Sequence, residues 1–447
     1  MSKIIKGAFI LGVGTLITKI LGAVYRIPLI GLIGAEGMGI YQMVFPLYLM
    51  LLTVSSSGLP TAISKRIAED RLDGFAFKKA LTYFAIIGLI LTFLLILFSK
   101  PLAKIQGNLN LAPCYIALAP AVFFVSIIAP IRGCFQGFRK MLPTSLSQII
   151  EQAVKVGVSL YLIKALNANS LKGALLAFVA ISISEALACV YLVVLLVVKK
   201  PFKNSKSQPI GRLNADFNGE TSGFKSVRDI LKISFPVMLC SMMIPLSRMV
   251  DSFLVVRLMS GYTKDAVLLY GLYSGGVESI IGVCTGLVFG LSTSAIPIIA
   301  KQKDGGADKK LIGYAFIFSS LGGAVTLILG PFAIDILFGG LNGWQIDTTV
   351  KLLRLATPSI IGISIMQATT SVLIAKDKLY FPSLSMLVGV LVKICGILLL
   401  VSNPKINVYG NAFCDILCYF VASFFNLLYI ICERKFTKGA RCIKATN

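Results

Sequence analysis

The chain has 447 residues, of which 56% are hydrophobic and 14% charged, and its mean hydropathy is +0.86. Soluble domains carry about 25% charged residues, so this composition predicts an all-α polytopic membrane protein. The sequence lacks histidine, which excludes histidine-based catalytic triads and H-E-x-x-H zinc sites. It also lacks a G-x-x-x-x-G-K-[ST] loop and any C-x-x-C pair, so we expect neither an ATPase nor a metal site.

The sequence contains twelve apolar segments. Most are at least as long as the roughly 20 residues that a spanning helix needs, so they predict about twelve transmembrane helices. The first segment is too long for the apolar core of a signal peptide, so we expect it to remain as the first helix. Glycines at every fourth position, Gly133 and Gly137 and then Gly282, Gly286 and Gly290, predict faces on which helices pack closely. In chain order the segments cover residues 4–33, 39–64, 78–99, 112–137, 143–163, 173–198, 229–259, 267–300, 311–338, 350–375, 380–402 and 408–432.

The loops differ in charge, and this difference predicts orientation. Lysine and arginine crowd the even-numbered loops and both termini, so we expect both termini on the cytoplasmic side of the plasma membrane. The net charge of +24 follows from this bias, and we expect no nucleic-acid partner. A polar, basic stretch at 199–228 predicts a cytoplasmic linker between an N-terminal lobe at 1–198 and a C-terminal lobe at 229–433, before a basic tail at 434–447. The odd-numbered loops hold only Lys100, Lys104, Lys164, Lys172, Lys264, Lys351 and Lys405.

The two lobes repeat one another. At an offset of 238 residues, 120–162 aligns without gaps with 358–400 and pairs Lys155 with Lys393. At an offset of 232 residues, Gly39 and Tyr41 meet Gly271 and Tyr273. An even number of helices in each repeat gives both lobes the same orientation. We therefore expect two pseudo-symmetric six-helix lobes related by an axis along the membrane normal, with the substrate site between them.

Cations inside the apolar segments are the strongest functional signal, because each costs about 2.5–3.5 kcal/mol near the bilayer midplane. Lys19 and Arg26 project from one face of the first segment, almost two helical turns apart. A weaker alignment at an offset of 229 residues places Arg248 opposite Lys19. These three cations predict a water-filled cavity for an anionic headgroup.

Pairs within one lobe are the alternative explanation for some of these charges. Glu151 lies one turn before Lys155, so that pair is structural by spacing, and Lys393 is its counterpart in the second lobe. Asp251 lies three residues after Arg248 and offers the same kind of neutralisation. We expect Glu278, and after it Asp251, to bind Na⁺ or H⁺ as a coupling ion if the protein uses one, with no other cofactor.

Two stretches resemble a known family. GAEGMGIYQMVFPLYLMLLTVSSSGLPTAISKRIAE at 34–69 and RGCFQGFRKMLPTSLSQIIEQAVKV at 132–156, together with TKILGAVYRIPL at 18–29, are similar to the polysaccharide-transporter branch of the MOP exporter superfamily. The closest group is the stage V sporulation protein B type, which is related to lipid II flippases. The resemblance implies the MATE/MOP fold, and it matches Lys19 to the first-helix cation of those flippases.

The resemblance implies a flippase for lipid-linked oligosaccharides or for the undecaprenyl-pyrophosphate precursor of peptidoglycan, working by alternating access as a monomer among membrane lipids. Arginine and lysine suit the pyrophosphate. A MATE-type multidrug or cation antiporter is the nearest alternative function, but the cavity of such a protein favours acidic residues over cations. A non-transporting scaffold for envelope assembly is a second alternative function. Short external loops with few carboxylates argue against an enzyme. The loop KRIAEDRLDGFAFKK at 65–79 lacks the major-facilitator signature.

Overall fold

The computed structural model describes residues 3–53, 58–68, 72–202, 222–301, 306–337 and 341–445, and for some helical residues, Lys19 among them, only the backbone. Within those ranges the regular elements are all helical, which is expected because a helix satisfies every backbone hydrogen bond inside an apolar segment. The α-helices are α1 Lys3–Thr53, α2 Leu59–Ala68, α3 Gly74–Leu97, α4 Ser99–Ile105, α5 Ala112–Gly137, α6 Leu142–Ala165, α7 Ser170–Lys199, α8 Ser222–Met259, α9 Ala266–Tyr270, α10 Glu278–Lys301, α11 Gly306–Leu337, α12 Gly343–Ala356, α13 Ser359–Ala375, α14 Tyr380–Leu400 and α15 Val408–Ala445.

The predicted segments agree with the observed helices at most of their ends, and the number of spans among the described residues is close to the predicted twelve. Ten helices of the described residues are long and apolar enough to cross a membrane, or eleven if α12 and α13, which are bent by 45° at their junction, are counted as one span. In that count the first span is Val24–Thr53. Gly34 has non-helical angles, φ 70° and ψ 177°, a conformation that favours glycine, so α1 consists of two helices that meet where the first two predicted segments separate.

Two further differences concern the linker and the tail. Helix α8 begins at Ser222, earlier than the predicted residue 229, and residues 203–221 of the predicted linker lie outside the described residues. Helix α15 continues through the predicted basic tail to Ala445. Neither region has a proline to end the helix, so it extends beyond the apolar stretch.

The chain forms two compact units, one of residues 1–25 and 43–246 and the other of residues 26–42 and 247–447. In the first unit, α5 packs on α2, where a Cβ added at Gly133 would lie 2.9 Å from the Cα of Pro60. The predicted close-packing face of α5 is therefore confirmed. The predicted face of α10 was wrong, because Cβ atoms at Gly282, Gly286 and Gly290 would meet open space among the described residues. The predicted lobe boundaries stay predictions.

In the second unit, residues 35–42 of α1 pack against a π-helical turn, Gly271–Val277, between α9 and α10. A Cβ at Gly271 would lie 2.1 Å from the carbonyl oxygen of Ala35 and 2.6 Å from the amide nitrogen of Gly39. The amide of Gln42 donates to the carbonyl oxygen of Ser274 at 2.8 Å. Gly39 and Gly271, which the repeat aligns with one another, therefore meet in space at a backbone contact that only glycine permits.

Candidate functional site: a buried charge cluster in the second unit

Charged side chains from five helices meet inside the second unit. Arg26 comes from α1, Arg248 and Asp251 from α8, Glu278 from the start of α10, Lys393 from α14 and Asp415 from α15. Each lies within an apolar segment, where an isolated charge is costly and where charges pair with one another or line polar cavities. We call these six residues the charge cluster.

Lys393 is the buried centre of the charge cluster. Its side chain has no solvent exposure, and its Nζ lies 2.6 Å from Oδ2 of Asp251 and 2.5 Å from Oδ1 of Asp415. The same ammonium donates to the hydroxyl of Ser247 at 3.0 Å. Three donors on one ammonium thus find three oxygen acceptors, which offsets the cost of burying the charge.

Asp415 is held from two sides and Asp251 is not. The hydroxyl of Tyr273, in the π-helical turn, donates to Oδ2 of Asp415 at 2.6 Å. Oδ1 of Asp251 is buried and has no hydrogen-bond partner among the described residues. The turn that packs against α1 is therefore bonded directly to the charge cluster. Turns of this kind inside helices are frequent at functional sites.

The two arginines are accessible, in contrast to Lys393. Arg248 is 23% exposed, and its Nε lies 3.7 Å from Oε2 of Glu278, within ion-pair range but beyond hydrogen-bond distance. Arg26 is partly exposed and donates from a guanidinium nitrogen to the hydroxyl of Ser279 at 2.8 Å. Ser279 directly follows Glu278 in α10, so both arginines contact the start of that helix at the accessible side of the charge cluster.

Three carboxylates of the charge cluster have the donor set of a cation site. One oxygen each of Asp251, Glu278 and Asp415 lies within 4.8 Å of the others. Carboxylate oxygens suit hard cations such as Na⁺, Mg²⁺ and Ca²⁺. The ammonium of Lys393 already bridges two of the three, so a bound cation has to share Asp251 and Asp415 with it. Oδ1 of Asp251, which has no hydrogen-bond partner among the described residues, is one oxygen that remains for a ligand.

The first unit contains a second set of buried charges. Arg132 on α5 is 1% exposed and pairs with Glu151 on α6 at 2.9 Å, while its Nε donates to the hydroxyl of Ser147 at 3.0 Å. The hydroxyl of Tyr48 lies 3.2 Å from an oxygen of Glu151 and 3.2 Å from an oxygen of Glu185 on α7. Arg132 is therefore a structural partner for acids that the neighbouring helices supply.

The sequence-predicted residues fall into three groups. Arg26, Arg248, Asp251, Glu278 and Lys393 come together in the charge cluster. Glu151 and Lys155 lie in the first unit, where the Lys155 ammonium sits 5.6 Å from the centre of the Tyr48 ring. The Lys19 side chain lies outside the described residues, so its predicted role stays a prediction.

Helical spacing predicted the wrong partner for Arg248, and it did not find two residues of the site. Asp251, expected to neutralise Arg248, is bonded to Lys393 instead, and Arg248 pairs with Glu278. Asp415 and Tyr273 were not predicted as site residues. A carboxylate inside an apolar segment marked Asp415 as unusual, but its partners come from helices distant in sequence. Tyr273 carries no such signal.

Solved structures with the same fold are MOP transporters. The chain superimposes on an inward-facing multidrug resistance MATE family transporter of the MOP superfamily with a TM-score of 0.74 at 15% identity, covering 94% of this chain and 96% of that one. It superimposes on the lipid II flippase MurJ, in an inward closed conformation, with a TM-score of 0.72 at 15% identity, covering 94% and 87%. The protein is thus a multi-pass membrane protein with the MOP fold, as predicted.

Sequence comparison gives the family. The family described as polysaccharide biosynthesis protein matches residues 4–303, and the chain belongs to it. Stage V sporulation protein B of Bacillus subtilis (strain 168) is 26% identical over 430 residues, 91% of this chain and 80% of that protein. Lipid II flippase MurJ of the same organism is 25% identical over 427 residues, 88% and 76%. The predicted membership of the MOP exporter superfamily, of the stage V sporulation protein B type, is confirmed.

Proposed function

We propose that the protein flips lipid-linked saccharides across the bacterial plasma membrane, and that Arg26 and Arg248 bind the pyrophosphate of the carrier lipid. The observation that carries this proposal is the difference in exposure between Arg248 at 23% and Lys393 at 0%. A headgroup can reach the arginines without opening the core of the unit. Lys19 is proposed as a third contact on its sequence spacing from Arg26 alone. We further propose that the protein works as a monomer, with both termini cytoplasmic.

The chemistry of the two arginines suits a pyrophosphate. A guanidinium presents parallel N–H donors that bind phosphate oxygens in pairs, and such charge-assisted bonds are about twice as strong as neutral ones. The Arg248 contact with Glu278, which is 3.7 Å long, is a weak competitor for a phosphate, and one bond of Arg26 goes to the neutral hydroxyl of Ser279. At Arg248 a phosphate therefore gains more than it displaces.

Glu278 supplies a route for coupling. If a phosphate takes Arg248, Glu278 loses its cation and must gain another positive charge, since a buried unpaired carboxylate is costly. A proton, or a Na⁺ shared with Asp251 and Asp415, fulfils that need. We therefore propose that headgroup binding and the uptake of H⁺ or Na⁺ are linked at Glu278.

The test is headgroup accessibility in proteoliposomes that contain lipid-linked peptidoglycan precursor. We would compare the wild type with Arg26→Ala, Arg248→Ala and the double variant, and use Lys378→Ala, an exposed lysine of the same unit, as the control. Losing one charge-assisted bond of about 1.5–3 kcal/mol predicts about 10- to 100-fold slower movement for each single variant. Equal rates in the wild type and the three arginine variants would contradict the headgroup site.

Two further outcomes separate the alternatives. Transport of cationic dyes with no movement of the precursor would favour a MATE-type multidrug antiporter. If neither the precursor nor dyes moved in the wild type, with the fold intact, the scaffold alternative would be favoured. For the coupling step, Glu278→Gln should abolish any dependence of flipping on a Na⁺ or pH gradient while leaving headgroup binding in place. An unchanged gradient dependence would exclude Glu278 as the coupling group.

A further inference from the structure

An apolar groove with two lysines lies at one end of the first unit. It has a volume of about 520 Å³ and lies between the start of α3 and the end of α7. Its apolar walls include Phe75, Leu196 and Val197, and Lys78 and Lys200 also line it. The volume is within the range of about 300–1,000 Å³ that small-molecule sites occupy. The groove is distinct from the charge cluster, which belongs to the other unit.

Local sequence features fix the shape of the groove. The carboxylate of Asp73 accepts from the amide of Ala76 at 2.7 Å and so caps the start of α3. At the other wall, α7 ends at Lys199, and the next residue, Lys200, has a left-handed conformation with φ 34°. This turn brings the ring of Phe202 back onto the ring of Phe77, with 5.3 Å between ring centres. Phe138 packs on the Phe202 ring at 5.0 Å, so the groove has an aromatic floor.

The position of the groove is that of a membrane surface. Both Gly74–Leu97 and Ser170–Lys199 are candidate membrane spans, and the groove lies where the first begins and the second ends. An occupant at this level meets lipid tails on one side and headgroups on the other. The exposed apolar side chains of Phe75 and Val197, both 62% exposed, need an apolar partner rather than water.

The positive charges of the groove favour a lipid with a negatively charged headgroup. Lys78 and Lys200 are exposed, and the residues that line the groove, all of them described, include no acid. The nearby carboxylate of Asp73 is engaged as the helix cap. Basic pockets between membrane helices bind anionic lipid headgroups, and a free phosphate would leave the apolar walls uncovered. Charge and apolar lining together therefore require one molecule with both an anionic head and an acyl chain.

We propose that this groove binds an anionic glycerophospholipid of the leaflet it faces, with the phosphate between Lys78 and Lys200 and an acyl chain along Leu196 and Val197. The site is independent of the substrate headgroup site. Its occupant seals the ends of α3 and α7 against the bilayer. On the charge bias of the loops, the leaflet is the cytoplasmic one.

Native mass spectrometry of the purified full-length chain tests the proposal with phosphatidylglycerol, phosphatidylcholine and a polyprenyl phosphate as probes. Phosphatidylglycerol should bind the wild type more tightly than phosphatidylcholine. Lys78→Gln and Lys200→Gln should each weaken phosphatidylglycerol binding about 5-fold, and the double variant about 30-fold. The control Lys309→Gln/Lys310→Gln, which removes two exposed lysines of the other unit, should bind as the wild type does.

A second variant tests the apolar part of the site without touching its charges. Val197→Trp fills the groove from its exposed side and should lower the binding of both phospholipids at this site. Equal affinity of the wild type for the two phospholipids, or unchanged phosphatidylglycerol binding in the lysine double variant, would overturn the proposal. Displacement of phosphatidylglycerol by an equal concentration of polyprenyl phosphate would also overturn it, because the groove would then belong to the substrate class.

Discussion

Replacing Lys393 by methionine should destabilise the protein strongly. Among the described residues, the change removes the one cation contact that Asp251 makes, at 2.6 Å, and the one that Asp415 makes, at 2.5 Å, while keeping a side chain of similar length. Removing one partner of a buried ion pair costs about 3–5 kcal/mol, because the remaining charge is left uncompensated. Two carboxylates lose their cation here, so we expect a loss at the upper end of that range.

Second substitutions that restore stability identify which carboxylate is responsible for the loss of stability in Lys393→Met. Asp415 keeps the hydroxyl of Tyr273 at 2.6 Å, whereas Oδ1 of Asp251 has no hydrogen-bond partner among the described residues. Adding Asp251→Asn to Lys393→Met should therefore recover more stability than adding Asp415→Asn. With both additions most of the stability should return, since neutral side chains of similar volume replace a buried ion pair at little cost.

The assay is thermal unfolding of the purified protein in detergent, followed by the fraction that stays folded and monodisperse. Lys378→Met serves as the control, because that lysine is exposed and surface changes usually lie within about 0.5 kcal/mol. A loss below about 1 kcal/mol for Lys393→Met, or no recovery with the asparagine variants, would refute this account of the charge cluster.

Two other predictions use the same assay. Gly39→Ala places a Cβ 2.0 Å from a backbone carbonyl oxygen and should cost about 1–3 kcal/mol or more, whereas Gly282→Ala, which faces open space, should be neutral or stabilising. Equal effects of the two glycine changes on stability would contradict the close backbone contact at Gly39. Glu151→Gln should cost about 3–5 kcal/mol because it removes the carboxylate that lies 2.9 Å from Arg132. Glu185→Gln should cost less, because a neutral amide still bonds the Tyr48 hydroxyl that the two acids share. The reverse order would contradict the assignment of Glu151 as the partner of Arg132.

Hydropathy and charge bias predicted the helical segments because both are local. The segment predicted at 112–137 is α5 to the residue, and those at 143–163 and 380–402 differ from α6 and α14 by two residues or fewer at each end. Two breaks have a signal of one residue each. Gly34 interrupts α1 where the first two predicted segments separate, and Pro358 lies at the bend between α12 and α13, inside a segment predicted as one apolar run.

The candidate site was predictable as a set of charges but not as a set of pairs. Lys393 and Asp251 stood out because each is a charge inside an apolar segment. Their bond joins residues 142 positions apart in sequence, and no helical spacing reports that contact. The internal repeat pointed to two glycines of the site region but not to their contact. It aligned Gly39 with Gly271, but an alignment of two halves does not imply that the matched residues touch.

Exposure and bond length divide the cations of the described residues into two roles. Lys393 and Arg132 are almost completely buried and bond acids from other helices at 2.5–2.9 Å, so a ligand would have to break short contacts in a core. Arg248 is accessible and lies 3.7 Å from its acid. Transport requires a site that binds and then releases its cargo, which favours partners that can be exchanged at low cost. For this reason the proposed headgroup site lies at Arg26 and Arg248. Lys393 is better suited to hold α8, α14 and α15 together while those exchanges take place.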